Sequence, residues 1–554
     1  MLDRLAGLET EYSLRFQPAQ PGGPRVPNSV LFDRILVHLR GRMPLAKAIV
    51  AEFGWFLANG GSIKLERIPF LAMLPAAGLV EGATPECRGP RQLLLHQRAQ
   101  DVLFSRAAAA SGQSDGTAAL LKNNHDGRGS RFGSHENYEA EVASQSSLHW
   151  WRLGIAGLMP FLVPLVVISV LILCILYLII LLPLLYLCGG RARQPPAWWD
   201  TVLAWLMRVC MLPPVLLAEI FIRLTAFRPH RRHMLAFLVS RPIITGAGIV
   251  DARGRFSLSP RARALLTICT TTTECSRGVF YFGHIWKGIL GPMLGERGNF
   301  FRLFQPRQRL QITCGDSNMA QVAEYLKFGT TMLVLDALEA GFMNDAPRLR
   351  SPLRALHLIC DDPTLKATVP LDQSRRWTGL QIQRYYLEAC RRFVEHQHVT
   401  EKQHAMQREE AANVLRLWEE TLEDLESHPQ RLVGKIDWVT KLHLLQATSV
   451  DARRKLDLRY HELTKEGYYL QLEAVGVAPT LVEPEEVLTT LGIPPSGTPA
   501  TQRGDLIRKY AASTEPIAVS WNLVVLGTGP LARTIQLQPP RQSEEGKPPS
   551  PPQA

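Results

Sequence analysis

Gly7-Leu8-Glu9-Thr10-Glu11-Tyr12-Ser13-Leu14 reads as a β-strand that decides how the rest of the chain is understood. Side chains alternate along a strand, so Glu9 and Glu11 share one face while Leu8, Thr10 and Tyr12 take the other. Two carboxylates on one strand face make a hard, oxygen-rich site of the kind Mg²⁺ takes together with nucleotide phosphates. Alone, such a pair more often marks an exposed acidic strand, so its meaning depends on what the chain brings beside it.

Three further stretches bear chemistry. Glu81 precedes Gly82-Ala83-Thr84-Pro85-Glu86-Cys87. Lys122 to Tyr138, KNNHDGRGSRFGSHENY, has little periodicity and reads as a polar loop feeding a strand. Within it, His135-Glu136-Asn137 offers a further metal or phosphate ligand, although a solvated turn is the ordinary explanation. Gly315-Asp316-Ser317-Asn318 reads as a loop and helix cap, followed by a periodic helix ending at Gly341.

Composition sets the bounds. The chain has 554 residues, 46% hydrophobic and 20% charged, enough for a sizeable core or two domains. A formal charge of +12 suits nucleic acid, a membrane surface or an acidic partner. Arginine is scattered and no nucleic-acid module is present, so no nucleic acid is expected. Nine cysteines without a CxxC pair fit neither a zinc site nor a secreted disulfide framework, and point to a reducing compartment. The first residues, MLDRLAGLETEYSL, lack the apolar core of a signal peptide.

Residues 153–188 run without a charge, longer than the roughly 20 residues that cross a bilayer. Residues 202–227 are also apolar but carry Arg208, Glu219 and Arg223. Gly189, Gly190, Pro195 and Pro196 between them read as a turn, with Trp198 and Trp199 suited to an interface. Charge within the second segment favours a re-entrant or interfacial insertion over two clean spans. Both flanks must share one compartment, expected to be the cytoplasmic face of the inner membrane.

In order along the chain, GLETEYSL, FLANGG, ATPEC, KNNHDGRGSRFGSHENY, FLVSRPIITGAG, GDSNMAQVAEYLKFGTTMLVLDALEAG, KIDWVTKL, KLDLRYHELTKEGYY and AVSWNLVVL resemble the family of Pup ligases and Pup deamidases (depupylases). These are relatives of glutamine synthetase and other carboxylate–amine ligases. The resemblance covers roughly residues 5–142 and 236–535. It implies an α+β fold: a glutamine-synthetase-like curved antiparallel sheet backed by helices, with a small C-terminal domain. The expected organisation is 1–142 and 236–475 for the catalytic domain, 143–235 for a membrane-associated helical insertion, 476–538 for the C-terminal domain and 539–554 for a disordered Pro-rich tail.

The resemblance also implies a reaction and partners. ATP and Mg²⁺ would serve to phosphorylate the side-chain carboxylate of the C-terminal Glu of a Pup-like modifier, for attack by a substrate lysine. The deamidase branch cleaves the corresponding amide or isopeptide bond. The partners implied are the modifier, modified proteins and proteasome components. Matched residue by residue, Glu9 and Glu81 correspond to magnesium ligands, and Thr84 and Trp438 to nucleotide contacts. Glu11 and Glu136 are added as metal-site carboxylates.

The chain also departs from the family. Aligned on Asn59-Gly60, the family's ATP-binding arginine, metal-site tyrosine and catalytic aspartate are replaced by Ser62, Lys64 and Glu66. Glu66 is thus the candidate base. The stretch from Glu66 to Glu81 is longer and more apolar than the family's. The family's Thr-Arg-Asp-Glu-Pro-His-Ala-Asp run is missing before Arg309, leaving Arg302 as a partial substitute. These departures keep open a second reading, a membrane-anchored pseudoenzyme that binds a modifier or proteasome partner. Family features are also mixed between the ligase and deamidase branches.

Overall fold

The computed structural model describes residues 1–49, 54–66, 78–112, 115–126, 131–183, 186, 198–251, 253–270, 278–291, 297–400, 405–529 and 532–537. The apolar stretch after Glu66, most of the loop around Gly129 and the Pro-rich tail lie outside the described residues. The strands up to the loop's far end are β1 (Leu5–Pro18), β2 (Leu45–Ala48), β3 (Gly54–Leu57), β4 (Ser62–Glu66), β5 (Leu79–Ala83), β6 (Cys87–Arg88), β7 (Gly116–Leu121) and β8 (Ser134–Glu141).

One 14-stranded sheet organises the molecule, and β1 is its hub. Residues 6–10 of β1 pair with β8, residues 9–12 with β5 and residues 13–18 with β7, all antiparallel. From β8 the sheet continues through Arg307–Gly315, Phe280–Tyr281 and Cys269–Thr270. From β5 it continues through β4, β3 and β2 to the C-terminal strands Ile517–Val519, Leu523–Leu526 and Arg533–Gln536. The fold is α+β, as expected. The strands after residue 475 extend the same sheet through a parallel pairing with β2.

Alternation separates the two faces. Ala6, Leu8, Tyr12, Ile63, Leu65, Val80 and Tyr138 are buried against helices, which gives the sheet its apolar side. The helix Gln321–Glu339 lies in this core and is buried nearly all round. A helix without a polar face needs cover on every side. That cover comes from the sheet and from the helices Gly379–Thr400 and Ala405–Ser427. A Cβ on Gly329 would stand 2.5 Å from Val414, so glycine is what allows this approach.

The predicted helix after Gly315 is present and ends before Gly341, whose φ is +85°. Neither Asp316 nor Ser317 caps it, and the chain just before the helix is held from a distance. Asp437, from the KIDW motif, accepts the Met319 and Ala320 amides at 3.2 and 3.1 Å. The loop polar residues are instead folded inward. Asn124 Oδ1 accepts the Ser317 amide at 2.7 Å, and His125 pairs with Asp457 at 3.0 Å. Burial of these groups is tolerated because each has a partner.

Between Val142 and Phe227 two long apolar helices leave the sheet and return as an antiparallel pair. They are Leu148–Leu176, continued by a π turn over Tyr177–Leu181, and Trp198–Thr225. The Phe227 amide donates to the Val142 carbonyl at 2.6 Å and closes the neck. Trp151 stacks on Phe221 with ring centroids 5.6 Å apart.

Candidate active site on the open face of the sheet

The face opposite the helices collects the charged residues. Register places Glu11 opposite Glu81, Lys64 opposite the same Glu81, and Glu9 opposite His135. Ser62, Lys64 and Glu66 alternate along β4, so all three substitutes for the family's residues point to this face.

Glu11, Glu66 and Glu81 each bring a carboxylate oxygen within 4.8 Å of the others. Glu11 is also tied to the backbone, accepting the Gly133 amide at 2.8 Å. Lys64 Nζ lies 3.0 Å from Glu81 Oε1. Glu66 Oε2 is buried without a hydrogen-bond partner among the described residues. Burial pushes the Glu81 carboxyl well above its ordinary range; Lys64 pulls it down, and the Glu66 and Glu9 charges offset that pull. Burial would strip the proton from Lys64, but Glu81, Glu66 and Glu9 hold it on and move the ammonium upward. The two directions agree once charge is counted, since three carboxylates share one ammonium. Such a cluster retains a proton or takes a cation. An unpartnered oxygen among converging carboxylates fits a hard divalent ion.

Glu9 sits beside this cluster with a different set of partners. Its carboxylate is paired with Arg309 and accepts Asn137 Nδ2 and Gln311 Nε2, each at 3.2 Å. Burial raises its proton affinity, but Arg309 and His135 overcome this and hold it well below the usual carboxylate range. His135 Nε2 is 2.8 Å from the Arg261 guanidinium, which can only donate. The ring proton therefore sits on Nδ1, 3.6 Å from Glu9. Lys287, from the helix Gly283–Leu290, completes the cationic side; burial and then Arg309 lower its proton affinity.

The remaining sequence-predicted residues stand elsewhere. Glu136 pairs in register with Leu8 and Ile312, on the helix-backed face. There it accepts Arg241 at 2.5 and 2.8 Å and the Tyr138 hydroxyl at 2.8 Å. Parity along β8 sends His135 and Asn137 to the site and Glu136 away from it, so Glu136 leaves the metal-ligand set. Thr84 is buried at the end of β5, its Oγ1 accepting the Leu8 amide at 3.0 Å. Trp438 is 2% exposed and donates its indole N–H to Ile243 at 2.9 Å, a core contact under the loop at Gly246. Arg302 reaches Asn522 in the C-terminal segment.

Sequence reasoning did not single out Arg309, Gln311, Arg261 or Lys287. The alternation in Arg307-Gln308-Arg309-Leu310-Gln311-Ile312 carried a signal for the first two. Arg309 and Gln311 share parity, and Leu310 and Ile312 take the apolar face.

The chain matches the Pup-ligase protein family over residues 4–525. It is 29% identical to a depupylase of Acidothermus cellulolyticus, over 83% of this chain and 75% of the relative. It is 33% identical to a Pup–protein ligase of Acidimicrobium ferrooxidans, over 56% and 66%. The fold is similar to that of the ligase PafA in its crystallised complex with the prokaryotic ubiquitin-like protein Pup. That likeness has a TM-score of 0.67 at 20% identity, covering 97% of this chain and 89% of PafA. Sheet, motif order and family match thus agree over almost the whole length: the chain belongs to the Pup-ligase family.

Proposed function

We propose that the open face of the sheet carries out ATP- and Mg²⁺-dependent chemistry on the C-terminal side-chain carboxyl or amide of a Pup-like modifier. The observation that carries this reading is the convergence of Glu11, Glu66 and Glu81. These three would hold Mg²⁺, which when bound neutralises phosphate charge. Lys64, Lys287 and Arg309 supply the positive rim that phosphate oxygens need. Arg309, Asn137 and Gln311 fix the Glu9 carboxylate, so it orients rather than moves. In the ligase direction the modifier's carboxylate oxygen takes the γ-phosphoryl group and ADP leaves. The substrate amine then attacks the acyl carbon, losing a proton as phosphate departs. Glu66 is the residue placed to receive that proton. In the deamidase direction water attacks the same carbon and ammonia or the lysine amine leaves. Named relatives fall on both sides, so direction is a question for the assay.

A second reading, a modifier-binding pseudoenzyme, is favoured by one feature. Lys64 and Arg309 already neutralise two of the four carboxylates. The discriminating experiment measures melting temperature with Mg²⁺, with ATP and with both, alongside gel assays using a Pup-like modifier ending in Glu or Gln. Catalysis predicts an ATP shift that requires Mg²⁺, loses it in Glu81→Gln, and accompanies turnover of one modifier form. Binding of the modifier with no nucleotide shift and no turnover would establish the pseudoenzyme.

A further inference from the structure

Apart from Arg208, the hairpin Leu148–Leu181/Trp198–Thr225 is largely apolar on the faces it shows outward as well as on the faces it packs. Its inner seam on the first helix is Trp151, Ile155, Leu158, Leu162 and Val166, at helical spacing. Residues off that seam are no more polar: Phe161, Leu171, Ile175 and Ile179 are 72, 55, 52 and 69% exposed. Only 11% of each apolar window is buried inside the fold. A helix of a water-soluble hairpin carries its charges on the outer face, and a helix apolar all round needs an apolar surround. Residues 153–181 extend about 43 Å at 1.5 Å per residue, more than the roughly 30 Å of a bilayer core.

Two of the three charges that argued against insertion are not where the sequence alone would put them; the third, Arg208, stays exposed on the second helix. Glu219 and Arg223 pair with each other, and Arg223 donates to the Cys269 carbonyl at 3.1 Å, at the sheet. They belong to the neck, outside the apolar part of the hairpin. The neck is also fastened by Trp151 Nε1 to Leu303 O at 2.7 Å and Arg152 Nε to Phe304 O at 2.8 Å. Exposed Trp150 and Phe301 stand around it, as interfacial aromatics do, and Arg228 and Arg232 offer exposed charge for anionic headgroups.

The neck adjoins the site. Phe227 stacks on Phe282 with centroids 5.4 Å apart. The next residue back, Tyr281, pairs with Gln311, which bonds Glu9. From the Phe280–Tyr281 strand to β1 is three strand steps, about 14 Å. We infer that the hairpin inserts into the hydrocarbon core of a lipid bilayer and holds the carboxylate site close to the membrane surface, so that the lysines it serves are those of membrane-bound proteins. The membrane half stands on the hairpin; the substrate half rests on the reaction proposed above.

Flotation of the full chain with vesicles of phosphatidylcholine and phosphatidylglycerol tests the first half. The wild type should float. The outward-facing triple variant Leu171→Asp/Ile175→Asp/Ile179→Asp should stay behind while keeping its seam and any nucleotide-dependent melting shift. A wild type that stays in the dense fraction, or forms a detergent-free oligomer that the triple variant loses, overturns insertion in favour of a protein partner or a second copy. For the second half, a lysine peptide tethered to the same vesicles should be modified or released on the order of a hundredfold faster than the free peptide, by effective concentration. Equal rates from floating protein overturn the substrate class. No turnover of either peptide, with flotation intact, overturns the reaction and with it the substrate half, and leaves the anchor standing.

Discussion

Glu136→Gln separates a structural carboxylate from a metal ligand. Glu136 and Arg241 are 1% and 2% exposed, and the guanidinium has one further side-chain oxygen, Thr331 Oγ1 at 2.7 Å. Glutamine keeps the volume and removes the charge, leaving a buried cation uncompensated. Breaking such a pair costs about 3–5 kcal/mol. Unfolding entropy near 2.1 cal/mol/K per residue over 554 residues gives about 1.2 kcal/mol/K. The melting temperature should therefore fall by about 3–4 °C if the chain unfolds as one unit, and further if a smaller unit containing the sheet unfolds alone. Scanning calorimetry with and without MgCl₂ reads both roles at once. Because Glu136 faces the helices, any stabilisation by Mg²⁺ should be the same in variant and parent. A variant that melts normally without metal yet loses the Mg²⁺ increment would place Glu136 among the ligands and refute the assignment by strand parity.

Three other outcomes follow from named contacts. Lys64→Met should tighten Mg²⁺ binding about tenfold: a unit charge at 4 Å is worth about 4 kcal/mol at an effective dielectric of 20, and most is screened because Lys64 is 40% exposed. Weaker Mg²⁺ binding by titration calorimetry would mean the ammonium supports the ion instead of opposing it. His96 is buried, which lowers its proton affinity to about 4. Between about 6.5 and 4 the unfolded chain takes a proton that the folded chain refuses, so stability should fall with falling pH by up to about 3 kcal/mol. In urea unfolding from pH 7 to 4, His96→Gln should flatten that fall, and an unchanged slope would assign it to another group. Arg503, fully buried, donates twice to the Gly60 carbonyl, at 3.0 and 2.7 Å, and pairs with Glu86. Arg503→Ala should speed proteolysis within residues 497–537, and an unchanged cleavage rate would show that this clasp does not hold the C-terminal strands.

What could be read from the sequence was whatever obeys a local period. Glu9 and Glu11 share a face because they are two residues apart, and Ser62, Lys64 and Glu66 share one for the same reason. Glu136 defeated that reasoning because HEN offers two parities and only pairing with β1 chooses between them. Polar content misled in another way. KNNHD read as part of a polar loop, yet Lys122 is buried between Asp101 and Glu324, each at 3.0 Å. A buried polar group is stable when its partners are supplied, and these come from positions up to 332 residues away, as for His125 and Asp457. Local pattern cannot contain them. Asp437, which holds the Met319 and Ala320 amides, was out of reach of local pattern for the same reason; alternation gives Arg309 its face but not Glu9 as its partner.

The charge count on the open face then links the departures from the family to function. Glu9 pairs with Arg309 and Glu81 with Lys64, while carboxylate oxygens of Glu11, Glu66 and Glu81 converge within 4.8 Å of one another. Converging carboxylates suit a hard divalent ion, and Lys64 need not be expelled for Mg²⁺ to enter; it need only release Glu81. Its four-carbon stem and partial exposure permit that movement, and phosphate oxygens give the ammonium somewhere to go. A lysine where the family has a tyrosine is then compatible with catalysis if nucleotide and metal arrive together. It is compatible with a binding protein if Lys64 never leaves Glu81. The requirement of Mg²⁺ for the ATP shift, compared in the wild type and Lys64→Met, is the measurement in which those two molecules differ.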